Sequence, residues 1–392
     1  MAKRSRGTPR AVLERRAAGI LANNLILDLK NNRYRVESQS KPGAYYDVCF
    51  LDDWSCACPY HITRHADCKH IIAVQMLVMR TEPLAPADFT IGRPEPRCTN
   101  KECGSANCRF YESRPRKGGG ASDRYRCSEC GCRFTYRPGF LGRHYEDAVI
   151  SGALDDTVEG RSLAAAARAA PRNSQSGSER VPERGTVLRW MQHAQRSTAK
   201  IPRNVPIRAG GRWSADEIYF PTDNGGRYMA GVMDAESRYM LANETYPKDD
   251  KIQTYDATDM FRQAVRIAGR IPDVLISDLL SGFARGFKKA IQGCRKYRRM
   301  GRKPVHIRTA SVQNRHINNS LFERQNGTVR NRIKTVRGFN SENPALLSLF
   351  ITHYNFVRPH TGISGKTPAE AMGIRVDGDD KWATLLAFAS AC

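Results

Sequence analysis

The chain has 392 residues and is strongly basic, with 63 Lys and Arg against 39 Asp and Glu, a formal net charge of +24 and a pI near 9.8. This length indicates two or more domains, since single cores rarely grow past ~250–300 residues. The charge indicates a polyanionic partner. Nucleic acid is favoured over a membrane, because no apolar run reaches the ~20 residues of a spanning helix and no basic amphipathic helix is found.

The N-terminus is basic and lacks the ~7–15-residue apolar core of a secretory signal. The twelve cysteines fall largely in CxC, CxH and CxxC spacings. Without a signal peptide, such spacings indicate reduced, metal-binding cysteines. We therefore expect a cytoplasmic or nucleoid-associated protein with no membrane partner.

A basic arm at 1–25 precedes a predicted β-hairpin of Arg33–Ser38 and Tyr45–Phe50. A CxC pair, a CxH pair and an apolar helix at 71–79 follow. This order, over 26–85, resembles the SWIM zinc finger. The resemblance places a tetrahedral structural zinc site on Cys56, Cys58, Cys68 and His70. The alternative is ordinary buried cysteines and a surface histidine.

The second cysteine cluster lies in 86–140. Cys127 and Cys130 form a zinc knuckle, in which Gly131 permits the tight turn around the metal. The stretch Tyr125–Phe134 resembles the second half of the zinc ribbons that precede many insertion-sequence transposases.

The first half of this predicted ribbon departs from the family's CxxC pattern. It offers three cysteines at wider spacing: Cys98, Cys103 and Cys108. Because Cys103 is followed by Gly-Ser, as the family's second ligand usually is, the resemblance implies Cys98 and Cys103. Cys108 and Cys132 remain alternatives, and a second structural zinc is expected.

Residues 141–200 show a helical pattern. They resemble the helix-turn-helix of the same transposases, whose last helix enters the major groove. That helix is predicted over Thr186–Arg196, and its exposed face would carry Arg189, Gln192, His193 and Arg196. The connection at 171–183 is longer than the ~3–4-residue turn of that motif, so a plain three-helix spacer is the alternative.

Residues 205–345 predict the order βββαβαβα, which is that of the RNase H-like fold: an α/β core with a mixed five-stranded sheet and flanking helices. A helical segment at 346–392 follows. The predicted strands are Arg212–Phe220, Arg227–Asp234, Tyr239–Tyr246, Val274–Ser277 and Pro304–Arg308. The predicted helices cover 253–268 and Phe283–Ile291, and a third begins near Asn319.

Two aspartates and a glutamate stand out in this core. Asp216 lies within the first strand, Asp278 lies just past the fourth, and Glu323 opens the last helix. Such a trio suits two metal ions that brace the attacking and leaving oxygens of an in-line phosphoryl transfer. Glu217 is expected to face away from Asp216, because side chains alternate along a strand.

Six motifs surround these acids: Trp213-x-x-Asp216-Glu217, Ser277-Asp278, His316-x-Asn318-x-x-x-x-Glu323-Arg324, Arg330-x-Arg332-x-Lys334-x-x-Arg337-Gly338-Phe339, Tyr354–His360 and Lys366–Ala371. Taken together these motifs are specific, and they resemble those of the DDE transposases of the IS-six type and their archaeal relatives.

The resemblance implies a transposase that cleaves and rejoins DNA with two Mg²⁺ (or Mn²⁺) held by Asp216, Asp278 and Glu323. The glutamate helix would position phosphates through four basic residues: Arg324, Arg330, Lys334 and Arg337. His316 and Asn319 would orient substrate or water. The implied partners are double-stranded DNA, as terminal inverted repeats and target, and at least a second copy of the chain.

Two features depart from the family: the SWIM-like module, and a longer interval from Asp278 to Glu323. Much of that interval is the basic insertion 294–303, either an extra DNA-contacting loop or a surface turn. Two other functions stay open. One is a catalytically silent, transposase-derived DNA-binding protein; the other is a nuclease without strand transfer.

Overall fold

The computed structural model describes residues 8–23, 25–29, 33–41, 43–50, 54–78, 87–115, 121–139, 144–248, 255–293, 304–308, 320–336 and 345–392. In these parts the backbone forms four β-sheets with helices around them. The N-terminal elements are α1 (Arg10–Ala22), β1 (Ile26–Asp28), β2 (Arg33–Glu37), β3 (Tyr45–Phe50), β4 (Trp54–Cys56), α2 (Pro59–Arg64) and α3 (Lys69–Val78).

The four N-terminal strands pair in chain order as an antiparallel sheet. Alternating residues of β2 and β3, such as Val36 and Val48, are buried, while α1 buries Ile20 and α3 buries Ile71. The same apolar cluster includes residues of two strands of the central sheet. This N-terminal module therefore rests on the rest of the molecule through apolar contacts.

A three-stranded antiparallel sheet follows, in the order β6-β7-β8. Its buried apolar cluster is small and consists of Cys98, Cys127 and Phe134, with partly buried cysteines and tyrosines around it. Apolar burial alone therefore contributes little to its stability. The elements here are β5 (Phe89–Ile91), β6 (Cys108–Pro115), β7 (Ala121–Cys127) and β8 (Arg133–Thr135).

A helical region links this sheet to the core. Its longest helix, α6, buries a stripe at helical spacing that includes Val187, Trp190, Met191 and Ala194. The helices are α4 (Asp147–Val158), α5 (Leu163–Ala169), a 3₁₀ turn (Ala170–Asn173), α6 (Arg184–Thr198) and α7 (Ile201–Asn204).

The central sheet has the order β11-β10-β9-β12-β13. β9, β10 and β11 are antiparallel neighbours, whereas β9, β12 and β13 run parallel. The predicted mixed five-stranded sheet with flanking helices is confirmed. The elements are β9 (Arg212–Thr222), β10 (Gly225–Asp234), β11 (Met240–Pro247), α8 (Thr258–Ala268), β12 (Val274–Ser277), α9 (Ser281–Gly286) with a π-helical continuation (Phe287–Gln292), β13 (Val305–Arg308) and α10 (Ser320–Val336).

The two faces of this sheet are covered differently. Trp213 and Ala215 of β9 lie in one apolar cluster with α8 and α9. Ile218 and Phe220 lie in another, with α10 and the helical region. The helices at 147–198 thus share a core with the sheet and are not a separately packed unit.

The C-terminal elements close the structure. Asn355 accepts from the Met240 backbone N–H (2.9 Å) and donates to its carbonyl (3.1 Å), which ties α11 to β11. β14 pairs in parallel with β5, far away in sequence. The elements are α11 (Ala345–Phe356), a 3₁₀ turn (Thr361–Ile363), α12 (Pro368–Ala371), β14 (Ile374–Val376) and α13 (Lys381–Ala391). None of the helices in the described parts of the chain has the length and apolar character needed to cross a membrane.

Candidate active site and cysteine clusters

Strand pairing brings the two predicted strand aspartates together. Asp216 lies mid-way along the central strand β9, opposite Gly231 of β10. On the other side, Ala215 pairs with Ser277, the last residue of β12. Asp278 therefore follows the last paired position and lies beside Asp216.

Glu217 joins these two aspartates, which corrects the expectation that it faces away. Carboxylate oxygens of Asp216, Glu217 and Asp278 all lie within 4.8 Å of one another. β12 ends at Ser277, so beyond that point one edge of β9 has no neighbouring strand. The Glu217 side chain is long enough to reach Asp278 past this open edge. The alternation of side chains along β9 therefore does not keep Glu217 away from Asp216 and Asp278.

The three carboxyl groups are electrostatically unfavourable when charged. Burial raises the pKa of Asp216 to about 7, and the nearby Asp278 and Glu323 carboxylates add to this increase. The Glu217 N–H and the Arg330 charge act in the opposite direction. Burial, with Asp278 and Asp216, raises the pKa of Glu217 to about 8. Burial also raises the pKa of Asp278, although the Leu280 N–H and Arg308 oppose this.

This group fits a divalent cation. The Glu217 Oε2 atom is buried and has no hydrogen-bond partner among the described residues. Buried carboxylates that lack a partner are costly unless they coordinate a metal. A donor set made only of carboxylate oxygens suits hard ions such as Mg²⁺ or Mn²⁺.

Helix α10 packs directly over the site. Phe322 lies against Gly231, the residue paired with Asp216. The buried Asn326 donates through Nδ2 to Asp216 Oδ2 (3.1 Å) and to the Glu217 carbonyl (3.2 Å). Glu323 is exposed and lies outside the group of three carboxylates, although its charge acts on Asp216.

Asn326 and Glu217 were both missed from the sequence. A signal was present for Asn326, because it lies three residues after Glu323 and so faces the same side of the helix. Glu217 joins the site because β12 ends beside it. This depends on how β12 pairs with β9 and cannot be read from the sequence of β9 alone.

The first cysteine cluster has all four predicted residues in one place. Cys56, Cys58, Cys68 and His70 are buried, and their ligand atoms lie within 4.8 Å of one another. The His70 Nδ1 atom is 3.8 Å from both Cys56 Sγ and Cys68 Sγ. Such separations fit ligands about 2.0–2.3 Å from a tetrahedral zinc ion.

The second cluster consists of Cys98, Cys103, Cys127 and Cys130. Cys98 Sγ lies 3.5 Å from Cys130 Sγ, and Cys103 Sγ lies 3.7 Å from Cys127 Sγ. The backbone N–H of Cys130 helps to lower the pKa of the Cys127 thiol to about 6. The thiolate form is therefore favoured at Cys127, whereas burial raises the pKa of the Cys98 thiol.

The two alternative cysteines lie outside this second cluster. The Cys108 thiol donates to the Ser105 carbonyl at 3.4 Å, and the Cys132 carbonyl accepts from the Cys127 N–H at 2.9 Å. The geometry therefore favours the four residues that resemblance implied.

All but one of the predicted DNA-contacting residues are exposed where they are described. On α6, this holds for Arg189, Gln192 and Arg196. His193 differs, because it is half-buried and its ring nitrogen lies 2.6 Å from the Gly139 carbonyl oxygen. On α10, the exposed residues are Arg324, Arg330 and Lys334. Arg337, His316, Asn319 and the insertion 294–303 lie outside the described residues.

The family model described as the integrase core domain matches residues 307–368. This segment starts in β13, includes Glu323 and ends at the first residue of α12. The match supports a core of the integrase and transposase type, whose members are polynucleotidyl transferases. No curated protein matches the chain.

Solved structures of viral integrases are also similar to part of this chain. The HTLV-2 integrase catalytic core domain in complex with magnesium, trimeric form, is 16% identical over 42% of this chain and 96% of that chain, with a TM-score of 0.29. Its dimeric form is 17% identical over 43% and 96%, with a TM-score of 0.28. The simian T-cell lymphotropic virus intasome in complex with PP2A regulatory subunit B56 gamma is 17% identical over 42% and 56%, with a TM-score of 0.29. Because these TM-scores are low, the fold assignment rests on the strand order of the central sheet and not on these matches.

Proposed function

We propose that this protein is a DNA transposase of the IS-six type that cleaves the ends of an insertion sequence and joins them to target DNA by DDE chemistry. The observation that carries the proposal is the position of Asp216 and Asp278. They lie side by side where β12 ends, beneath a helix that brings Glu323 close enough to act on Asp216. The integrase-core match covers that helix.

Asp216, Asp278 and Glu323 would hold two Mg²⁺ (or Mn²⁺), with Glu217 beside them. When bound, such ions activate the attacking oxygen and stabilise the leaving oxygen. Asn326 fixes the orientation of Asp216 through its hydrogen bond. Arg330 places positive charge near the site, where it offsets the charge of a DNA phosphate.

The remaining basic residues of α10 extend this role. Arg324 and Lys334 are exposed on the same helix as Glu323, and Arg337 follows it in sequence. They would contact phosphates without reading bases. On α6, Arg189, Gln192 and Arg196 would contact terminal inverted repeats in the major groove.

The two cysteine clusters would each hold one structural Zn²⁺ and keep the small N-terminal modules folded. The first would be a SWIM-like finger and the second a zinc ribbon. Pairing two element ends requires at least a dimer. The protein would act in the prokaryotic nucleoid on double-stranded DNA.

The test uses purified protein, labelled element-end DNA and Mg²⁺. Asp278→Asn and Glu323→Gln should each lower cleavage at the element boundary by about two orders of magnitude or more. A metal ion contributes several kcal/mol of transition-state stabilisation, and each ~1.4 kcal/mol is tenfold in rate. Asp259→Asn is the matched control, because that carboxylate is 84% exposed on α8, and cleavage should be unchanged.

Cleavage that persists in Asp278→Asn would refute the DDE assignment. Tight binding without cleavage by the unsubstituted protein, even with Mn²⁺ and pre-nicked ends, would instead indicate a silent DNA-binding protein.

A further inference from the structure

Three arginines stand in register across the sheet of the second cysteine cluster. Arg109 of β6 pairs with Arg126 of β7, and Arg126 pairs with Arg133 of β8. Directly opposed residues of antiparallel strands project from the same face. We call Arg109, Arg126 and Arg133 the arginine row.

The arginine row lacks counter-charges. Like charges directly opposite each other destabilise a sheet, and none of the three guanidinium groups forms an ion pair with a residue that the structure describes. By contrast, Arg114 and Arg124 on the same sheet both pair with Glu112, at 2.8 Å each. Arg114 and Arg124 thus share one compensating carboxylate, whereas the three arginines of the row have no ion-pair partner among the described residues.

The row is accessible and partly ordered by an aromatic ring. Arg109 and Arg133 are exposed, and Arg126 is half-buried. The Arg133 guanidinium lies 4.4 Å from the centroid of the Tyr111 ring, a cation–π contact. Tyr111 is itself 41% exposed and lies at an irregularity in the β6–β7 register. Its contact with Arg133 reduces the entropy cost of binding through that side chain.

The second cysteine cluster holds the strands that carry the row. Arg126 directly precedes Cys127, and Arg109 directly follows Cys108, which pairs with Cys127. Because few apolar residues are buried in this sheet, the spacing of the three arginines depends on the cluster.

We propose that the arginine row binds the phosphate backbone of double-stranded DNA. Neighbouring strands lie ~4.8 Å apart, so the row spans about 10 Å, a compact cationic patch that fits a short stretch of one DNA backbone. Guanidinium groups pair well with phosphate oxygens. This inference rests on the proposed function only because it takes DNA as the partner. It assigns DNA contact to the three-stranded sheet of the second cysteine cluster, the proposed zinc ribbon.

The test measures binding to a fluorescent duplex by anisotropy, without Mg²⁺, over a series of salt concentrations. Neutralising the row by combining Arg109→Gln, Arg126→Gln and Arg133→Gln should weaken binding and reduce the slope of log K against log salt by about 2–3, at ~0.9 per phosphate contact. The loss should be equal for element-end and unrelated duplexes. Because no cleavage is measured, the result is independent of the test of catalysis.

The matched control combines Glu112→Gln and Arg114→Gln, which removes both members of one ion pair from the same sheet without changing the net charge and should change the slope by less than about 1. An unchanged slope in the triple variant, with zinc content intact, would overturn the proposal. A loss confined to one DNA sequence would also overturn it. If the triple variant lost zinc, the salt slope would be measured instead on a double variant that keeps the half-buried Arg126. This variant combines Arg109→Gln and Arg133→Gln.

Discussion

The carboxylate group of the core and the arginine row of the ribbon both bring three like charges together on neighbouring strands, but in different surroundings. Asp216, Glu217 and Asp278 are part-buried, and their pKa values are raised. The arginine row lies on a largely exposed face. Buried charges interact strongly at short range, whereas exposed charges are screened by salt. The first arrangement suits a small cation in direct contact, and the second suits a polyanion held by several screened contacts.

The scaffolds of the two regions differ as well. The carboxylates stand on the middle strand of a sheet with an apolar cluster on each face. The arginine row stands on a sheet whose buried cluster is two cysteines and one phenylalanine. The core should therefore keep its shape without metal, and the ribbon should not.

Preventing the proposed metal binding at the second cysteine cluster should give the largest effect. Cys127→Ala should abolish one zinc equivalent and unfold the ribbon, because structural zinc contributes ~10–16 kcal/mol in small zinc-binding peptides. The salt slope should fall as it does without the arginine row, while thermal unfolding of the core persists. Zinc analysis, salt titrations of DNA binding and thermal denaturation measure these three outcomes. Cys132→Ala is the control; zinc loss there, with retention in Cys127→Ala, would contradict the ligand set.

The part played by Glu217 can be separated from that of Glu323 by Mn²⁺ binding in the absence of DNA, measured by electron paramagnetic resonance. Glu217→Gln should weaken binding by about 10–100-fold, on the scale of disturbing a metal's immediate surroundings. Glu323→Gln should have a smaller effect, because Glu323 is exposed and outside the group. The reverse order would mean that Glu217 is not a ligand of the DNA-free protein.

The sequence predicted what depends on local pattern. The order of strands and helices along the core, the positions of Asp216 and Asp278 on their strands, and both cysteine sets follow from periodicity, spacing and resemblance. It missed what depends on pairing between strands. Glu217 joins the site because β12 stops at Ser277, and the arginine row exists only in the register of three strands.

Pairing distant in sequence was equally hidden. β5 and β14 are short, and neither carries a motif that indicates the other. The shared core of the helical region and the sheet was also not predicted. An amphipathic pattern shows that one face of a helix is buried, but it does not identify the element that the face packs against.

The smallest expected effect concerns how α10 is seated over the carboxylates. A Cβ at Gly231 would lie 2.8 Å from Phe322 Cζ and 3.0 Å from Met240 Sδ. Gly231→Ala should therefore overpack this contact and cost about 1–3 kcal/mol of stability. It should also shift α10, and with it the Asn326 hydrogen bond to Asp216, so Mn²⁺ affinity should fall in parallel. Thermal denaturation and Mn²⁺ titration of one preparation measure the two effects.

Gly327→Ala is the control on the same helix, because a Cβ there meets nothing within 4 Å. Alanine favours a helix over glycine by ~1 kcal/mol, so this variant should be as stable as the unsubstituted protein or more so, with Mn²⁺ affinity unchanged. If Gly231→Ala lost stability but kept full Mn²⁺ affinity, the carboxylate site would be held by β9 and β12 alone. The core site would then resemble the ribbon in depending on strand register, and α10 would contribute Glu323 and its basic residues without positioning Asp216.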